Sequence, residues 1–361
     1  MAEGRFSCSM LDCIRSTEDA ARNIVSHRKD NTRQLMELLS QREKPISSIV
    51  FVGSGTSSTS AITAKAFVEK ASGLRTSVIF PNDFLYNTYV YVEGGLYVFT
   101  SQTGTSKVAL ECMRFIAEKG YDYLVISESK ETPMAKEARC FLTMDCGIEE
   151  YPMRTVGYSA TVMTDMILGL EIGLYYHHLS NKEYDHYIEE ISAIASRQPI
   201  VVEKTLKWLE TSKRRFLRSD LIVFTGCDAL YGVALEGAMK VWETLQTASV
   251  GYELEEGIHG PNYGYNHRHL VVVLNHGGRE NEKAQALARY MKDIFKNGLL
   301  IGKNPIDSDD LELDLPDEDT SCIDLATVVQ IIAYVTARDQ GRDLYKHHDN
   351  SLMDSYFKTH Q

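Results

Sequence analysis

The sequence predicts an α/β protein with two tandem, doubly wound parallel sheets, a helical N-terminus and a C-terminal tail. Three observations predict this fold. An apolar run, a glycine turn and a helical segment occur in that order twice along the chain. The length of 361 residues exceeds what one typical core accommodates and suggests two domains. The composition, 43% hydrophobic and 24% charged, is ordinary for a globular protein.

The two copies of this pattern define an internal repeat. In the first copy, an apolar run at residues 49–53 precedes a helical segment at residues 59–70. In the second copy, a run at residues 221–226 precedes residues 231–244. The copies lie about 173 positions apart. Since a buried strand, a tight turn and a helix open a parallel α/β unit, the repeat predicts two such units related by duplication.

The similarity continues downstream of each unit. Residues 96–100 predict a second buried strand, and residues 270–274 are its counterpart in the second copy. Residues 123–126 predict a third strand, for which residues 299–301 are the weaker match. Around these strands we expect helical segments at about residues 17–41, 181–212 and 323–338.

These segments predict the domain organisation. We expect an N-terminal helical segment at residues 1–44 and a first α/β domain at residues 45–180. A helical connector at residues 181–214 leads to a second α/β domain at residues 215–340. Residues 341–361 form a polar C-terminal tail.

The charge of the chain bears on its partners. The formal net charge is −12, and no block of Lys and Arg resembles a nucleic-acid-binding arm. Because nonspecific binding to a polyanion depends on cationic side chains, a nucleic-acid partner is not expected. A small phosphate can still bind locally to backbone N–H groups and hydroxyls.

Cysteine usage and hydropathy predict the compartment. The seven cysteines are scattered, odd in number and without CxxC pairs, which argues against a disulfide framework and against a zinc site. The N-terminus lacks the apolar core of a signal peptide. The apolar stretch at residues 162–174 contains Asp165 and Glu171 and therefore predicts a buried helix, not a membrane span. We expect a cytoplasmic protein without a membrane partner.

Hydroxyl-rich loops follow the first two strands of the first repeat. Residues 53–58 read GSGTSS and residues 101–106 read SQTGTS. Ligands of open parallel sheets bind beyond the carboxyl ends of the strands, so both loops are expected to face one crevice. Glycine turns, helix N-termini and hydroxyl donors are suited to a phosphate, and the pairing of the loops predicts a phosphate site.

Two observations limit this prediction. Each loop alone is equally explained as a helix N-cap and turn, which favour the same residue types. The corresponding segments of the second repeat, CDAL at residues 227–230 and NHGG at residues 275–278, are poor in hydroxyls. The sequence therefore predicts one phosphate site per chain.

Together these motifs resemble the double-domain SIS (sugar isomerase) family, specifically the isomerase half of glucosamine-6-phosphate synthase. The resemblance extends from about Ile49 to about Lys346. It is carried by four segments in the same order, at residues 54–57, 101–106, 236–243 and 259–261. It implies two flavodoxin-like SIS domains and an enzyme that acts on a sugar phosphate.

The resemblance also implies roles for individual residues. The positions that match those holding the sugar phosphate are Ser57, Ser101, Gln102, Thr103 and Ser106.

Three further positions match catalytic residues of the family. Glu243 matches the carboxylate that moves a proton between sugar carbons 1 and 2, and Lys240 matches a neighbouring lysine of the same site. His259 matches a histidine that assists ring opening and that reaches the site from a second subunit in relatives. A homodimer or higher homo-oligomer with shared active sites is implied.

The residues themselves are consistent with these roles. Glu236, Lys240 and Glu243 share one helical face, and apolar residues flank them. A carboxylate beside buried surface has a raised pKa, which suits a general base, although a solvated row of ion pairs is the alternative. His259 precedes Gly-Pro and is expected in a turn, and the acidic residues just before it are expected on a solvated loop.

The chain also departs from the synthase pattern. It begins Met-Ala-Glu, without the N-terminal cysteine of the glutaminase domain, which favours the degradative direction. The family's Ser-Thr-Lys segment appears as residues 156–161 without the lysine, and Lys346 lies in only a loose match to the family's C-terminal lysine segment. Whether Lys346 forms a sugar imine stays open.

The reaction predicted from these features is the deglycation of a fructosamine 6-phosphate, which needs no metal or organic cofactor. Glucosamine-6-phosphate deamination and aldose–ketose isomerisation use the same proton transfer and are alternatives. A phosphosugar sensor that binds without reacting is a further alternative of a different class.

Overall fold

The computed structural model describes residues 6–315, 319–346 and 351–361. It contains two five-stranded sheets in which all strands are parallel. The strands of the first sheet are β1 (Ser48–Val52), β2 (Arg75–Ile79), β3 (Gly95–Thr100), β4 (Asp122–Ser127) and β5 (Phe141–Thr143). Those of the second are β6 (Leu221–Gly226), β7 (Ala248–Glu253), β8 (His269–Asn275), β9 (Gly298–Gly302) and β10 (Leu311–Glu312).

The two sheets have the same topology. The strand order is β2-β1-β3-β4-β5 in the first sheet and, read from the corresponding edge, β7-β6-β8-β9-β10 in the second. This is the flavodoxin-like order of doubly wound sheets. The predicted duplication of an α/β fold is therefore confirmed, including the weakly matched strand β9.

Helices cover both faces of each sheet. In chain order they are α1 (Met10–Arg15), α2 (Thr17–Asn31), α3 (Arg33–Ser40), α4 (Thr56–Ser72), α5 (Lys107–Glu118), α6 (Pro133–Glu137), α7 (Val156–Tyr175), α8 (Asn181–Arg218), α9 (Ala229–Thr244), α10 (Asn281–Tyr290), α11 (Ser321–Asp339) and α12 (Ser351–Tyr356). The helical N-terminus is as predicted. Helix α12 lies in the segment that was expected to be a polar tail.

The inner faces of the two sheets share one hydrophobic core. Phe51 and Leu96 of the first sheet belong to the same buried cluster as Phe224 and Leu270 of the second. Helices α4, α7, α9 and α11 fill the space between the sheets. The outer faces form separate clusters, under α5 on the first sheet and under α10 on the second.

Two of the central helices are buried almost completely. Every residue of α7 from Val156 to Gly173 is buried, which confirms the prediction of a buried helix there. Helix α11 is long and apolar enough to span a membrane, but 94% of its most apolar window is buried inside the fold. It is therefore a helix of the protein core. The domain boundaries drawn from the sequence stay a prediction.

The turn from the first strand into the first helix is nearly identical in the two repeats. Gly55 has φ 57° and ψ −130°, and its equivalent Asp228 has φ 52° and ψ −129°. A Cβ atom at Gly53 would lie 2.9 Å from the Cβ of Ser57, and one at Gly226 would lie 2.7 Å from that of Leu230. Glycine is needed at both strand ends because the helix starts so close to the strand.

Candidate functional site

A cavity of about 850 Å³ lies at the carboxyl edge of the first sheet. Its wall combines the two hydroxyl-rich loops, the loop before α7, helix α9 of the second repeat and the end of the C-terminal tail. The principal polar residues on this wall are Ser54, Thr56, Ser57, Ser101, Gln102, Thr103, Thr105, Ser106, Arg154, Glu243, Lys358, Thr359 and His360.

The structure brings the five predicted phosphate-binding residues together. All five line the cavity: Ser57, Ser101, Gln102, Thr103 and Ser106. Helix α4 begins at Thr56, and helix α5 begins directly after its N-cap residue Ser106. Two helix N-termini therefore meet at the cavity with the hydroxyl groups. Unpaired N–H groups at helix N-termini favour an anion, and hydroxyls donate to phosphate oxygens without adding net charge.

A buried carboxylate holds Gln102 in place. The Nε2 atom of Gln102 donates to Oε2 of Glu149 over 3.0 Å. Glu149 also accepts from the backbone N–H of Thr155 at 2.8 Å and of Gly157 at 3.1 Å. A Cβ atom at Gly157 would lie 1.9 Å from Oε1 of Gln102, so only glycine leaves room for this side chain. Glu149 and Gly157 thus fix the orientation of a residue on the cavity wall.

Helix α9 carries an ion-pair row whose last member, Glu243, lines the cavity, whereas Glu236 and the predicted catalytic residue Lys240 are not among its described lining residues. The side chains of Glu236 and Lys240 are fully buried, whereas that of Glu243 is 33% exposed. The Nζ atom of Lys240 lies 2.6 Å from Oε2 of Glu243 and 3.4 Å from Oε1 of Glu236. Thr59 on α4 donates to Oε2 of Glu236 over 3.0 Å. A solvated row of ion pairs, the alternative considered for this face, is excluded for Glu236 and Lys240.

The electrostatics of this row follow from its burial. Desolvation raises the pKa of Glu236, although Lys240 opposes it. The raised pKa belongs to Glu236, whereas the residue expected to act as the general base on this helical face is Glu243. Burial alone would lower the pKa of Lys240, but Glu236 and Glu243 outweigh it and raise that pKa. Lys240 is therefore a buried cation at neutral pH, held between two carboxyl groups.

His259 lies apart from the cavity within one chain. It follows the 3₁₀ helix Glu256–Ile258 beyond strand β7, and its side chain is 66% exposed. Its Nδ1 atom is 3.0 Å from the backbone oxygen of Glu255. The expected turn is present, since Gly260 has φ 106°. That His259 reaches the site of a second subunit stays a prediction.

Two cations on the cavity wall were not identified from the sequence. Arg154 lies in the loop before α7 and donates through Nη1 to the backbone oxygen of Tyr151 over 3.1 Å. Lys358 lies in the tail, whereas Lys346, the lysine considered from the sequence, is not among the described residues that line the cavity. No periodicity or spacing marks either residue, so only the tertiary structure could reveal them.

The tail is held against the second hydroxyl-rich loop. The backbone N–H of Lys107 donates to the oxygen of Thr359 over 3.1 Å, and that of Gln361 donates to Thr105 over 3.0 Å. An antiparallel bridge joins Ser106 and His360 between these bonds. Lys358 and His360 consequently close one side of the cavity.

The curated relatives of the chain include aminotransferases. No family model matches the chain. The chain is 26% identical over 313 residues to glutamine–fructose-6-phosphate aminotransferase (isomerizing) of Bartonella quintana. This alignment covers 83% of the chain and 51% of the relative. It is 25% identical over 349 residues to the enzyme of the same name from Shouchella clausii, covering 95% and 58%. The chain spans about half the length of these curated relatives.

Solved structures share the whole fold. A candidate phosphosugar isomerase from Clostridium difficile superposes with a TM-score of 0.88 at 23% identity, covering 97% of this chain and 98% of that one. The C-terminal domain of glucosamine-fructose-6-phosphate aminotransferase from Francisella tularensis has a TM-score of 0.83 at 23% identity, covering 94% and 98%. The sequence matches and the shared fold confirm the predicted resemblance to the double-domain SIS family, in particular to the isomerase part of these aminotransferases.

Proposed function

We propose that this chain is an enzyme of the SIS type that processes a phosphorylated sugar, and that its reaction is the deglycation of a fructosamine 6-phosphate. One observation carries the proposal. The hydroxyl-rich loops of the first repeat and Glu243 of the second repeat line the same cavity. An anion cradle and a carboxylate able to move a proton thus face one ligand. The names of the relatives support a sugar phosphate as that ligand.

The phosphate binds among the hydroxyls of Ser57, Ser101, Thr103 and Ser106. The N-termini of α4 and α5 add the positive ends of two helix dipoles, and Gln102 is held beside them by Glu149. Arg154 and Lys358 supply positive charge at the rim. Anchoring the phosphate fixes the position of the sugar carbons relative to Glu243, and such positioning lowers the barrier by converting an encounter into an intramolecular step.

Glu243 performs the proton transfer. It removes a proton from carbon 1 of the open-chain ketose, the electron pair forms a double bond between carbons 1 and 2, and the oxygen on carbon 2 takes up a proton from solvent to give an enaminol. Glu243 returns the proton to carbon 2, and the amine nitrogen loses its proton to solvent, which leaves an imine at carbon 1. Water hydrolyses the imine to glucose 6-phosphate and the free amine. Lys240, 2.6 Å from Oε2 of Glu243, holds this carboxylate in place.

His259 acts on the sugar ring from a second copy of the chain. Its exposed side chain is available to a neighbouring subunit, and a homodimer would bring it to the partner's cavity. In this arrangement His259 helps to open the ring before Glu243 acts. The setting we propose is the reducing cytoplasm, where the free thiols of the described residues would persist.

Proton NMR in D₂O tests the proposal. The protein is incubated separately with fructoselysine 6-phosphate, glucosamine 6-phosphate and fructose 6-phosphate. We expect deuterium at carbon 2 of the glucose 6-phosphate product and release of lysine from the first compound. Ammonia release from the second would identify a deaminase, and exchange in the third alone an isomerase. Binding without exchange in any of them would replace the enzyme with a phosphosugar sensor.

A further inference from the structure

The carboxyl edge of the second sheet gathers a cysteine, an aspartate and a histidine. Cys227 and Asp228 directly follow β6, and His276 directly follows β8. These strands are neighbours, with Thr225 paired to Val273. The register therefore brings together residues that are distant in the sequence. One ligand atom from each of Cys227, Asp228 and His276 lies within 4.8 Å of the other two.

The cluster occupies the position of the phosphate cradle in the other repeat. In the first sheet Val52 pairs with Phe99, just as Thr225 pairs with Val273 in the second. By this register Asp228 corresponds to Gly55, and His276 corresponds to Gln102. The second edge thus carries a thiol, a carboxylate and an imidazole where the first carries hydroxyls, a glycine and an amide.

These three groups form a recognisable set of metal ligands. Thiolate and imidazole groups favour Zn²⁺ over Mg²⁺ or Ca²⁺, which prefer oxygen ligands alone. Ligand atoms around a tetrahedral zinc ion stand roughly 3.3–3.8 Å apart, so small side-chain rotations would close the present spacing. Three protein ligands leave the fourth position of such an ion open.

The surroundings favour a cation at this edge. The carboxylates of Asp228, Glu253 and Glu280 lie close enough to Cys227 to place negative charge around its thiol. A cation would offset this local negative potential and stabilise the thiolate. Lys283 neutralises part of it, because its Nζ atom lies 2.9 Å from Glu280. Cys227 and His276 are buried while Asp228 is exposed, so an ion could enter from the Asp228 side.

Asp228 has no other evident structural task. It adopts a positive φ angle that L-residues rarely take and that its counterpart Gly55 adopts as a glycine. Its carboxylate makes no hydrogen bond or ion pair among the residues that the structure describes. Asp228 thus occupies a backbone conformation that favours glycine, and its carboxylate lies near the thiol of Cys227 and the imidazole of His276.

We propose that Cys227, Asp228 and His276 bind one transition-metal ion of the zinc type. The site is separate from the cavity of the first sheet and does not depend on the proposed function. The sequence argued against a zinc site because CxxC pairs are absent, but these ligands converge through strand pairing. The ion would displace the thiol proton of Cys227 to solvent on binding.

Titration of the metal-free full chain with Co²⁺ tests the site, since cobalt replaces zinc and reports thiolate ligation by its charge-transfer absorption. We expect one ion per chain, competition by Zn²⁺, and loss of the charge-transfer band in Cys227→Ser. Asp228→Gly fits the backbone and restores the residue type of the first repeat. We expect it to lower Co²⁺ affinity by at least about tenfold while the protein stays folded.

The controls separate this site from other thiols. His276→Gln introduces the residue type found at the equivalent position of the first sheet and should weaken binding to a similar extent. Cys8→Ser, at a half-buried cysteine elsewhere, should leave the band and the affinity unchanged. Absence of stoichiometric binding would overturn the proposal. So would a charge-transfer band that survives Cys227→Ser, or unaltered affinity in both Asp228→Gly and His276→Gln.

Discussion

The carboxyl edges of the two sheets have the same backbone and opposite chemistry. At the first edge, the turn after β1 carries Gly55, and the neighbouring residues bear hydroxyls. At the second edge, the same turn carries Asp228, with Cys227 and His276 beside it. Strand order and turn angles agree between the repeats. Duplication therefore retained the scaffold, while a few side chains at the strand ends changed the charge that each edge favours.

The second repeat also contributes residues to the carboxyl edge of the first sheet. Helix α9 belongs to the second repeat, but it packs against α4, and its residue Glu243 lines the cavity of the first. A Cβ atom at Gly232 of α9 would lie 2.6 Å from the backbone nitrogen of Thr63 on α4. This close crossing brings the row of Glu236, Lys240 and Glu243 to the other repeat's loops. The first edge thus depends on both halves of the chain.

Removal of the carboxylate contributed by α9 should have the largest effect. Glu243→Gln keeps the shape of the side chain but removes the proton acceptor, so we expect turnover to fall by about 10²–10⁴-fold. Binding of glucose 6-phosphate, measured by calorimetry, should be retained. Wild-type turnover in this variant would mean that the second repeat contributes no chemistry to the first edge.

Introducing the aspartate of the second sheet's edge at the equivalent position of the first sheet tests whether the two edges differ in the charge of the ligand that they bind. Gly55→Asp copies Asp228, whose backbone angles match, and a Cβ atom at Gly55 would meet nothing closer than Met239 at 4.0 Å. The added negative charge should weaken binding of glucose 6-phosphate by roughly a hundredfold, because like charges repel near a partly desolvated site. Gly55→Asn, with the same shape and no charge, is the matched control. Equal affinities in both variants would rule out electrostatics as the cause.

A single hydroxyl should have a smaller effect. Ser101→Ala removes one donor to the phosphate, and hydrogen bonds to charged groups contribute about 1.5–3 kcal/mol, so affinity should fall at least about tenfold. Cys227→Ser changes a side chain of the second edge by one atom and should leave phosphate affinity as it is. If both substitutions weakened binding alike, the phosphate would not be confined to the first edge.

The smallest effect is expected from a difference between two buried carboxyl groups in the interior between the sheets. Glu236 is paired with Lys240, whereas Asp165 in α7 is buried with no hydrogen bond to its carboxyl oxygens among the described residues. Burial raises the pKa of Asp165 well above its usual value of 3.8. The stability that protonated Asp165 contributes is complete below its unfolded pKa and is lost as the pH rises above it.

Asp165→Asn removes this dependence on pH. The stability of the wild type relative to the variant should fall as the pH rises above the unfolded-state pKa of an aspartate, and therefore between pH 5 and pH 6. Urea unfolding at both values measures it. A difference that is constant with pH would show that Asp165 ionises equally in both states.

The core of the fold could be predicted because the central strands are continuous apolar runs, and because a glycine follows β1 and ends β6. Strands β5 and β10 were missed, since three and two residues are too short for a pattern. Strands β2 and β7 were missed because most of their residues are half-buried or exposed.

The site was predictable where it follows strand ends and not elsewhere. The hydroxyl-rich loops stand directly after apolar runs, and the row on α9 has helical spacing. Arg154, Glu149 and Lys358 lie in irregular segments, and their contact with the cavity depends on tertiary packing. The cluster of Cys227, Asp228 and His276 depends on the register of β6 with β8, which no local spacing encodes.

The core shared by the two sheets has a consequence for how the chain folds. Because Phe51 and Phe224 belong to one buried cluster, either half alone would expose the apolar face that the other covers. The second half alone would also lack Thr59, so the buried carboxylate of Glu236 would lose the hydrogen bond that it accepts from this residue. The two repeats are thus expected to melt in one cooperative transition, and a fragment ending after the first repeat should aggregate instead of behaving as an autonomous domain. The two halves are similar in fold, but the interior that they share makes the stability of each depend on the other.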